Sequence, residues 1–332
     1  MRFGLFGGAQ ANSASPGAPR GQGFHDYVEF NVEAEALGYH STFSVEHHFS
    51  GWGQVSATLN VLTWLAAHTR TLRLGTAVMV LPWHNPVLLA EQAATLDLLS
   101  NGRLDLGIGK GYRYSEFHGF GVPEDEAEAR FDEALDLMTR AWTSAERFSH
   151  HGRYWQFDDI VVEPQPIQAP HPPLWMAAGS DASIRRVVAR GANLLLDQYA
   201  SPQGLGERIA LYRREVEASG RTCDPMSVAV ARDVYVAKDE EDRKAALARA
   251  TAARRRIVEV SRAPDRAGGS HVLAYEHTDS GNPSALYGSP DEIAAKLDEL
   301  RAAGVTYVLA SFGGHSRTSL ERFAREIVPA FA

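Results

Sequence analysis

The chain has a single cysteine, Cys223, among its 332 residues. That excludes an internal disulfide and a cysteine-based zinc site, and it fits a reducing cytoplasm. Long apolar runs are missing too. No stretch approaches the ~18 consecutive apolar residues that cross a bilayer, so a soluble chain with no membrane role is expected. Basic residues are outnumbered, 33 against 41 acidic, and the net charge of −8 disfavours nucleic acid as a partner. The run Arg254-Arg255-Arg256 lies in a charge-rich helical segment near Glu259 and reads as a solvated face. Residues 1–8 begin as a strand and lack the basic start and cleavage site of an export signal. The G-x-G-x-x-G fingerprint is also absent, which argues against a conventional NAD-binding fold.

What is present is most legible in residues 72–112, LRLGTAVMVLPWHNPVLLAEQAATLDLLSNGRLDLGIGKGY. Leu72 and Leu74 alternate with polar residues, and 77–81 run continuously apolar, as in a strand buried on both faces. Asn85 is placed to cap a helix with Pro86 at its first position, and Gly102 to end it. Leu104, Leu106 and Ile108 then return to strand spacing. A β-α-β unit follows, and with it two neighbouring parallel strands. Just past the second strand stand Gly107, Gly109, Lys110 and Gly111, then Tyr112 and Arg113, where α/β proteins bind ligands. Glycines there admit a ligand to the backbone, and Lys110 offers a positive charge to a phosphate or an anionic ring.

The rest of the chain repeats the alternation. A strand over 2–7 precedes a long Gly/Ser/Pro-rich loop, 8–23, a candidate wall or lid. Helix 24–37, strand 41–49 ending in Glu46-His47-His48-Phe49, and helix 55–68 lead into the central unit. After it come a loop carrying Phe117 and Phe120, helix 124–145, a hairpin-like piece at 154–162 and strand 174–178. Residues 179–183 then turn into a helix with Ser180 as cap and backbone donors ready for an anion. Strands over 194–196, 227–236 and 306–311 complete eight that alternate with helices. That tally predicts a (β/α)8 TIM barrel forming one domain over residues 1–332, with 264–284 as a mobile insertion or lid.

With EHHF on the second strand, GTAVMVLPWHNPVLLAEQ on the third and NGRLDLGIGKGY on the fourth, the chain resembles the bacterial luciferase-like flavin monooxygenases. The likeness covers most of the chain and is strongest over residues 1–200. It implies reduced FMN at the C-terminal mouth of the barrel, with its ring against Ala77 and Val78, a peptide that family members often hold cis. Lys110 matches the family's basic phosphate-contacting position, usually Arg, and keeps the charge without the bidentate fork. Ser180 and Ser183 match the phosphate-binding hydroxyls. Gly179 replaces the luciferases' Glu and offers only its backbone N–H, Gly109 replaces their reactive thiol, and Gly111 and Tyr112 complete the cofactor-binding set. Arg130 is better read as a surface ion pair. His47 matches the family's catalytic histidine.

Neighbouring residues on a strand point to opposite faces, so His47 and His48 are not expected to share a site, which also argues against a metal. The implied activity is that of a two-component monooxygenase, in which reduced FMN and O2, through a flavin C4a-hydroperoxide, oxygenate a small, largely apolar organic substrate. A separate NAD(P)H-dependent flavin reductase would supply the reduced cofactor. Two alternatives stand beside it: a hydride-transferring oxidoreductase using the deazaflavin coenzyme F420, and a non-catalytic flavin-binding partner subunit. Trp52, Trp83, Tyr112 and Phe117 are expected to line an apolar pocket. A homodimer is expected through the early helices, whose Ala34, Ala36, Ala66, Ala67, Ala90, Ala93 and Ala94 permit close approach.

Overall fold

The strands of the chain carry buried residues on both faces, and the computed structural model, which describes residues 1–11, 17–261 and 282–332, shows why. They are Arg2–Gly7 (β1), Ser41–Ser44 (β2), Arg73–Thr76 (β3), Met79–Val80 (β4) and Leu104–Gly109 (β5). After the hairpin Phe148–His151 (β6) and Gln156–Ile160 (β7) follow Leu174–Ala177 (β8), Asn193–Leu196 (β9), Val228–Val236 (β10), Leu286–Gly288 (β11) and Tyr307–Phe312 (β12). Eight of them pair in parallel in the order β1-β2-β3-β5-β8-β9-β10-β12, and β12 returns to β1 with Arg2 opposite Tyr307. The result is the expected closed (β/α)8 barrel. β11 adds to β10 outside the ring, with Val234 opposite Leu286.

Side-chain alternation divides the core in two. Phe3, Leu5, Leu194, Leu196, Val308 and Ala310 point outward into the layer between sheet and helices. Phe43, Trp175, Leu195, Ala229, Tyr307 and Leu309 fill the barrel interior, with Phe6, Ala77 and Val78 packed on them. Below that plug the Arg73 guanidinium grips Asp105 through Nε–Oδ2 at 2.6 Å and Nη2–Oδ1 at 2.8 Å, and Trp175 Nε1 donates to the same carboxylate at 3.2 Å. The N-terminal end of the barrel is therefore closed. Among the described residues it is the C-terminal end that is open to hold a ligand.

The helices are Gln22–Ala36 (α1), Thr58–His68 (α2), Pro86–Leu99 (α3), Tyr114–Phe120 (α4), Ala127–Thr143 (α5), Asp181–Ala189 (α6), Pro202–Ala218 (α7), Glu240–Ser261 (α8), Pro290–Ala302 (α9) and Arg317–Arg322 (α10). Asn85 caps α3, accepting from the N–H groups of Val87 and Leu88 at 3.1 Å, and Gly102 ends that unit at φ 75°. Both follow the sequence reading.

Four expectations change. β2 ends at Ser44, because beyond the last ladder bond, from the Val45 N–H to the Gly7 carbonyl, the chain leaves β1 and His47 donates to the Val55 carbonyl instead, so the histidine pair sits on a loop. The third strand, read as continuous, breaks at Ala77-Val78 and resumes as β4, while the cis peptide there is the one the resemblance implied. Phe117 and Phe120 lie on a short helix, α4, rather than a loop. Ala34, Ala66, Ala90, Ala93 and Ala94 are buried against the barrel, which leaves Ala36 and Ala67 as the exposed members of the alanine set. Of the expected lid at 264–284, only 282–284 belong to the described residues; the rest lies outside them.

Candidate active site

A cavity of about 1190 Å³ opens at the C-terminal ends of the strands. Its wall draws on almost every strand: Phe6 and Gly7 from β1, His47 past β2, Ala77 and Val78, Tyr112 past β5, Ala178 past β8, Asp233 on β10 and Ser311 on β12.

His47 lines this cavity and His48 does not. His47 Nδ1 stands 3.1 Å from Glu116 Oε1, an atom that also accepts the His48 main-chain N–H at 3.0 Å. An oxygen already serving as acceptor makes Nδ1 the donor, so the neutral ring keeps its lone pair on Nε2. Burial lowers the His47 pKa below its ordinary 6.5; the Glu116 hydrogen bond opposes this and the Arg113 charge adds to it. The ring is thus neutral at pH 7. His48 turns instead to Glu46, whose Oε1 receives His48 Nε2 and His84 Nε2 at 2.8 Å and Trp83 Nε1 at 2.9 Å. Glu46 Oε2 accepts the Val80 N–H at 3.1 Å. Burial alone would raise the Glu46 pKa, but the hydrogen bonds from His48 and His84 outweigh it and hold it at about 2. One carboxylate ties the histidine loop to the segment just past the cis peptide.

Ala77, Val78, Gly109, Gly111 and Tyr112 all line the cavity together. A Cβ at Gly109 would stand 2.5 Å from Val78 Cγ2, so glycine there lets β5 close against the Ala77-Val78 segment. Lys110 also reaches the rim, where its Nζ pairs with Glu128 Oε2 at 3.1 Å; Arg186 meets the other oxygen of that carboxylate. Gly179 lines the cavity, whereas Ser180 and Ser183 spend their hydroxyls on a capping box at the start of α6. The amides of Gly179 and Ser180 donate to Ser183 Oγ at 3.3 and 3.0 Å, so these donors are engaged rather than free as the sequence suggested.

Of the expected aromatic lining, Tyr112 is in place. Trp83 packs on Phe117 and Phe120 with ring centroids 5.3 and 5.2 Å apart, and Trp52 lies under the Arg256 guanidinium, so neither tryptophan nor Phe117 faces the cavity. Arg130 pairs with Glu126 at 2.9 Å, as read. The basic run is a correction: Arg254 is buried, lines the cavity and lies over the Tyr199 ring at 4.6 Å. A helix-surface pattern conceals a face that looks into the barrel mouth. Sequence reading also passed over Asp233 and His315, both in the cavity wall. Burial raises the Asp233 pKa to about 6, against the opposing Asn282 hydrogen bond and the charges of Arg232 and Arg254. Burial lowers that of His315. The alternation of β10 was a usable signal for Asp233; nothing local marked His315. Among the described residues no cluster of His, Cys, Asp or Glu could hold a metal ion, and no helix is long and apolar enough to cross a membrane.

Comparison with known proteins agrees with this architecture. A flavin-dependent trigonelline monooxygenase, oxygenase component, of Acinetobacter baylyi is 30% identical over 252 residues, 74% of this chain and 68% of its own. An FMNH2-dependent dimethylsulfone monooxygenase of Pseudomonas putida is 28% identical over 314 residues, 89% of this chain and 85% of its own. An F420-dependent glucose-6-phosphate dehydrogenase of Kineococcus radiotolerans is 34% identical over 208 residues, 59% of each chain. Against two further relatives, from Sinorhizobium fredii, the aligned stretch spans 60% and 63% of their lengths. The crystal structure of the monooxygenase RslO1 from Streptomyces bottropensis superposes with a TM-score of 0.85 at 26% identity, over 100% of both chains. A cavity at the barrel mouth, walled by a histidine-carboxylate pair and a cis-bonded third strand, is accompanied by a match of residues 1–307 to one family model, and the chain belongs to the luciferase-like monooxygenases.

Proposed function

We propose that the protein is the oxygenase of a two-component flavin system, taking reduced FMN and O2 to oxygenate a small organic substrate with a largely apolar body. The observation that carries this reading is the His47-Glu116 pair beside the Ala77-Val78 segment, in one cavity. The cavity is larger than the ~300–1,000 Å³ of ordinary single-ligand sites, so a flavin and a substrate fit together. Reduced FMN, when bound, supplies the electrons that activate O2. The chain's own part is to hold it, keep water out and move a proton. Ala77, Val78, Gly109, Gly111 and Tyr112 take the ring. Lys110, Gly179, Ser180 and Ser183 take the phosphate, for which Lys110 has to give up Glu128 and the Gly179 to Ser183 turn its capping-box bonds. His47 Nε2 accepts or returns the proton, its tautomer set by Glu116.

Relatives named as FMNH2-dependent, and one named as an oxygenase component, support both the cofactor and a separate flavin reductase as partner. The F420-dependent relative favours a second reading, hydride transfer with a deazaflavin. The test is a parallel anaerobic titration with reduced FMN and reduced deazaflavin coenzyme, followed by O2. Binding of FMN with oxygen uptake is expected; binding of the deazaflavin alone would decide for the rival. A non-catalytic subunit is disfavoured by the intact His47-Glu116 pair. The same reading includes a homodimer through α2 and α3, whose outer faces carry exposed Trp64, Leu88 and Leu99.

A further inference from the structure

Arg113 is buried at 2% exposure, lines the cavity and is poorly matched by the protein around it. Its Nε has no hydrogen-bond partner among the described residues. Its Nη1 reaches Gln54 Oε1, a neutral acceptor, at a long 3.4 Å. The nearest carboxylate oxygen, Glu116 Oε1, is 3.8 Å away and already accepts both His47 Nδ1 and the His48 N–H. A guanidinium presents five donors in a fixed fork and is never neutral in a protein. Withdrawing that charge from water without a close, hydrogen-bonded anion is unfavourable, and a ligand that brings its own anionic oxygens removes the deficit.

We propose that Arg113 is the substrate-recognition residue of the cavity and that the substrate is an organic acid, its carboxylate held by the Arg113 fork with Gln54 alongside. This rests on the monooxygenase reading of the same cavity and adds the class of compound oxygenated. Three features direct it to a carboxylate rather than to the flavin. Arg113 neighbours the His47-Glu116 pair, where substrate has to meet the proton-handling ring. The phosphate-contacting side chain of the family motif is Lys110, three residues earlier and on the rim. Arg113 begins α4, its carbonyl accepting the Glu116 and Phe117 N–H groups, so the guanidinium springs from a fixed backbone. An acid gripped there lays its apolar body along the wall beside Tyr112.

The experiment compares benzoate with benzamide and octanoate with octanamide by calorimetry on the full chain, alongside an anaerobic reduced-FMN titration of the same preparations. The wild type is expected to bind at least one acid about tenfold or more tightly than its amide, the scale of a hydrogen bond to a charged group. Arg113→Met removes that preference and leaves FMN binding within about threefold. Should Arg113→Met not fold, Gln54→Glu serves the same end: it places a carboxylate beside the guanidinium and is expected to abolish the preference with Arg113 intact. Equal binding of acids and amides by the wild type overturns the proposal, as does a preference that survives Gln54→Glu or Arg113→Met. Loss of FMN binding in Arg113→Met without any acid preference in the wild type assigns Arg113 to the cofactor and overturns it too. Failure of the wild type to bind FMN, with acid preference intact, counts against the monooxygenase reading and not against this site.

Discussion

Glu116 holds His47 through Nδ1 at 3.1 Å and holds the same loop a second time through the His48 main-chain N–H at 3.0 Å. A carboxylate on α4 therefore sets both the tautomer and the position of a ring borne on the loop past β2.

Glu116→Gln is expected to lower substrate oxygenation about 10- to 100-fold while reduced-FMN binding stays within about tenfold. The pH profile adds a check. Activity needs neutral His47, so it falls as pH drops through a pKa already below 6.5; loss of the Glu116 contribution moves that inflection lower still. An unmoved inflection would show that His47 is not the titrating group.

His47→Ala should cut coupled oxygenation by roughly 10² to 10⁴ with FMN binding within about tenfold. His48→Ala should act through stability, because His48 faces Glu46 and packs on Phe120 with ring centroids 4.7 Å apart. Steady-state kinetics beside chemical denaturation separates the two effects, and the reverse pattern would reverse the facing assignment.

Glu46 contributes stability that depends on its ionisation. Its pKa is about 2 in the fold against 4.5 for a free side chain, so the contribution is complete above pH 4.5 and is lost as pH falls from there toward 2. Glu46→Gln should cost about 2–3 kcal/mol at pH 7 and flatten the acid limb of the stability curve, measured by urea unfolding across that range.

Asp233 works in the opposite sense. Its pKa is raised from 3.8 to about 6, so between those values the unfolded chain has lost a proton that the folded one keeps, and stability declines as pH rises. Asp233→Asn should therefore stabilise the protein at pH 7 by about 1–2 kcal/mol, visible as a raised urea midpoint. No gain at pH 7 would mean that the charges of Arg232 and Arg254 already compensate the carboxylate.

For the dimer, light scattering at micromolar concentration should give twice the chain mass, and Trp64→Asp with Leu99→Asp should reduce it to one. A wild-type monomer would remove the claim.

Much of the barrel was legible because its determinants are local. Strand periodicity in β8, β9 and β12, the Asn85 cap with Pro86 and the stop at Gly102 are written in near neighbours. The motif positions Ala77, Val78, Lys110 and Gly179 could likewise be assigned to the mouth, since a parallel barrel puts strand ends there. What the chain's order could not give was pairing across the fold. Glu116 is 69 residues from His47, and its role depends on α4 folding back over the loop past β2. Arg254 resembled a solvated charge because its helix is polar overall; the docking of α8 turns it into the cavity along with Leu247, Ala250, Thr251 and Ile257. Arg113 could be placed in the ligand-binding stretch past the strand end but given no role there. Only the packed structure, by burying its guanidinium with Nε unpartnered and with its nearest carboxylate, Glu116, 3.8 Å away and already shared with His47 and His48, shows a charge left for a ligand to meet.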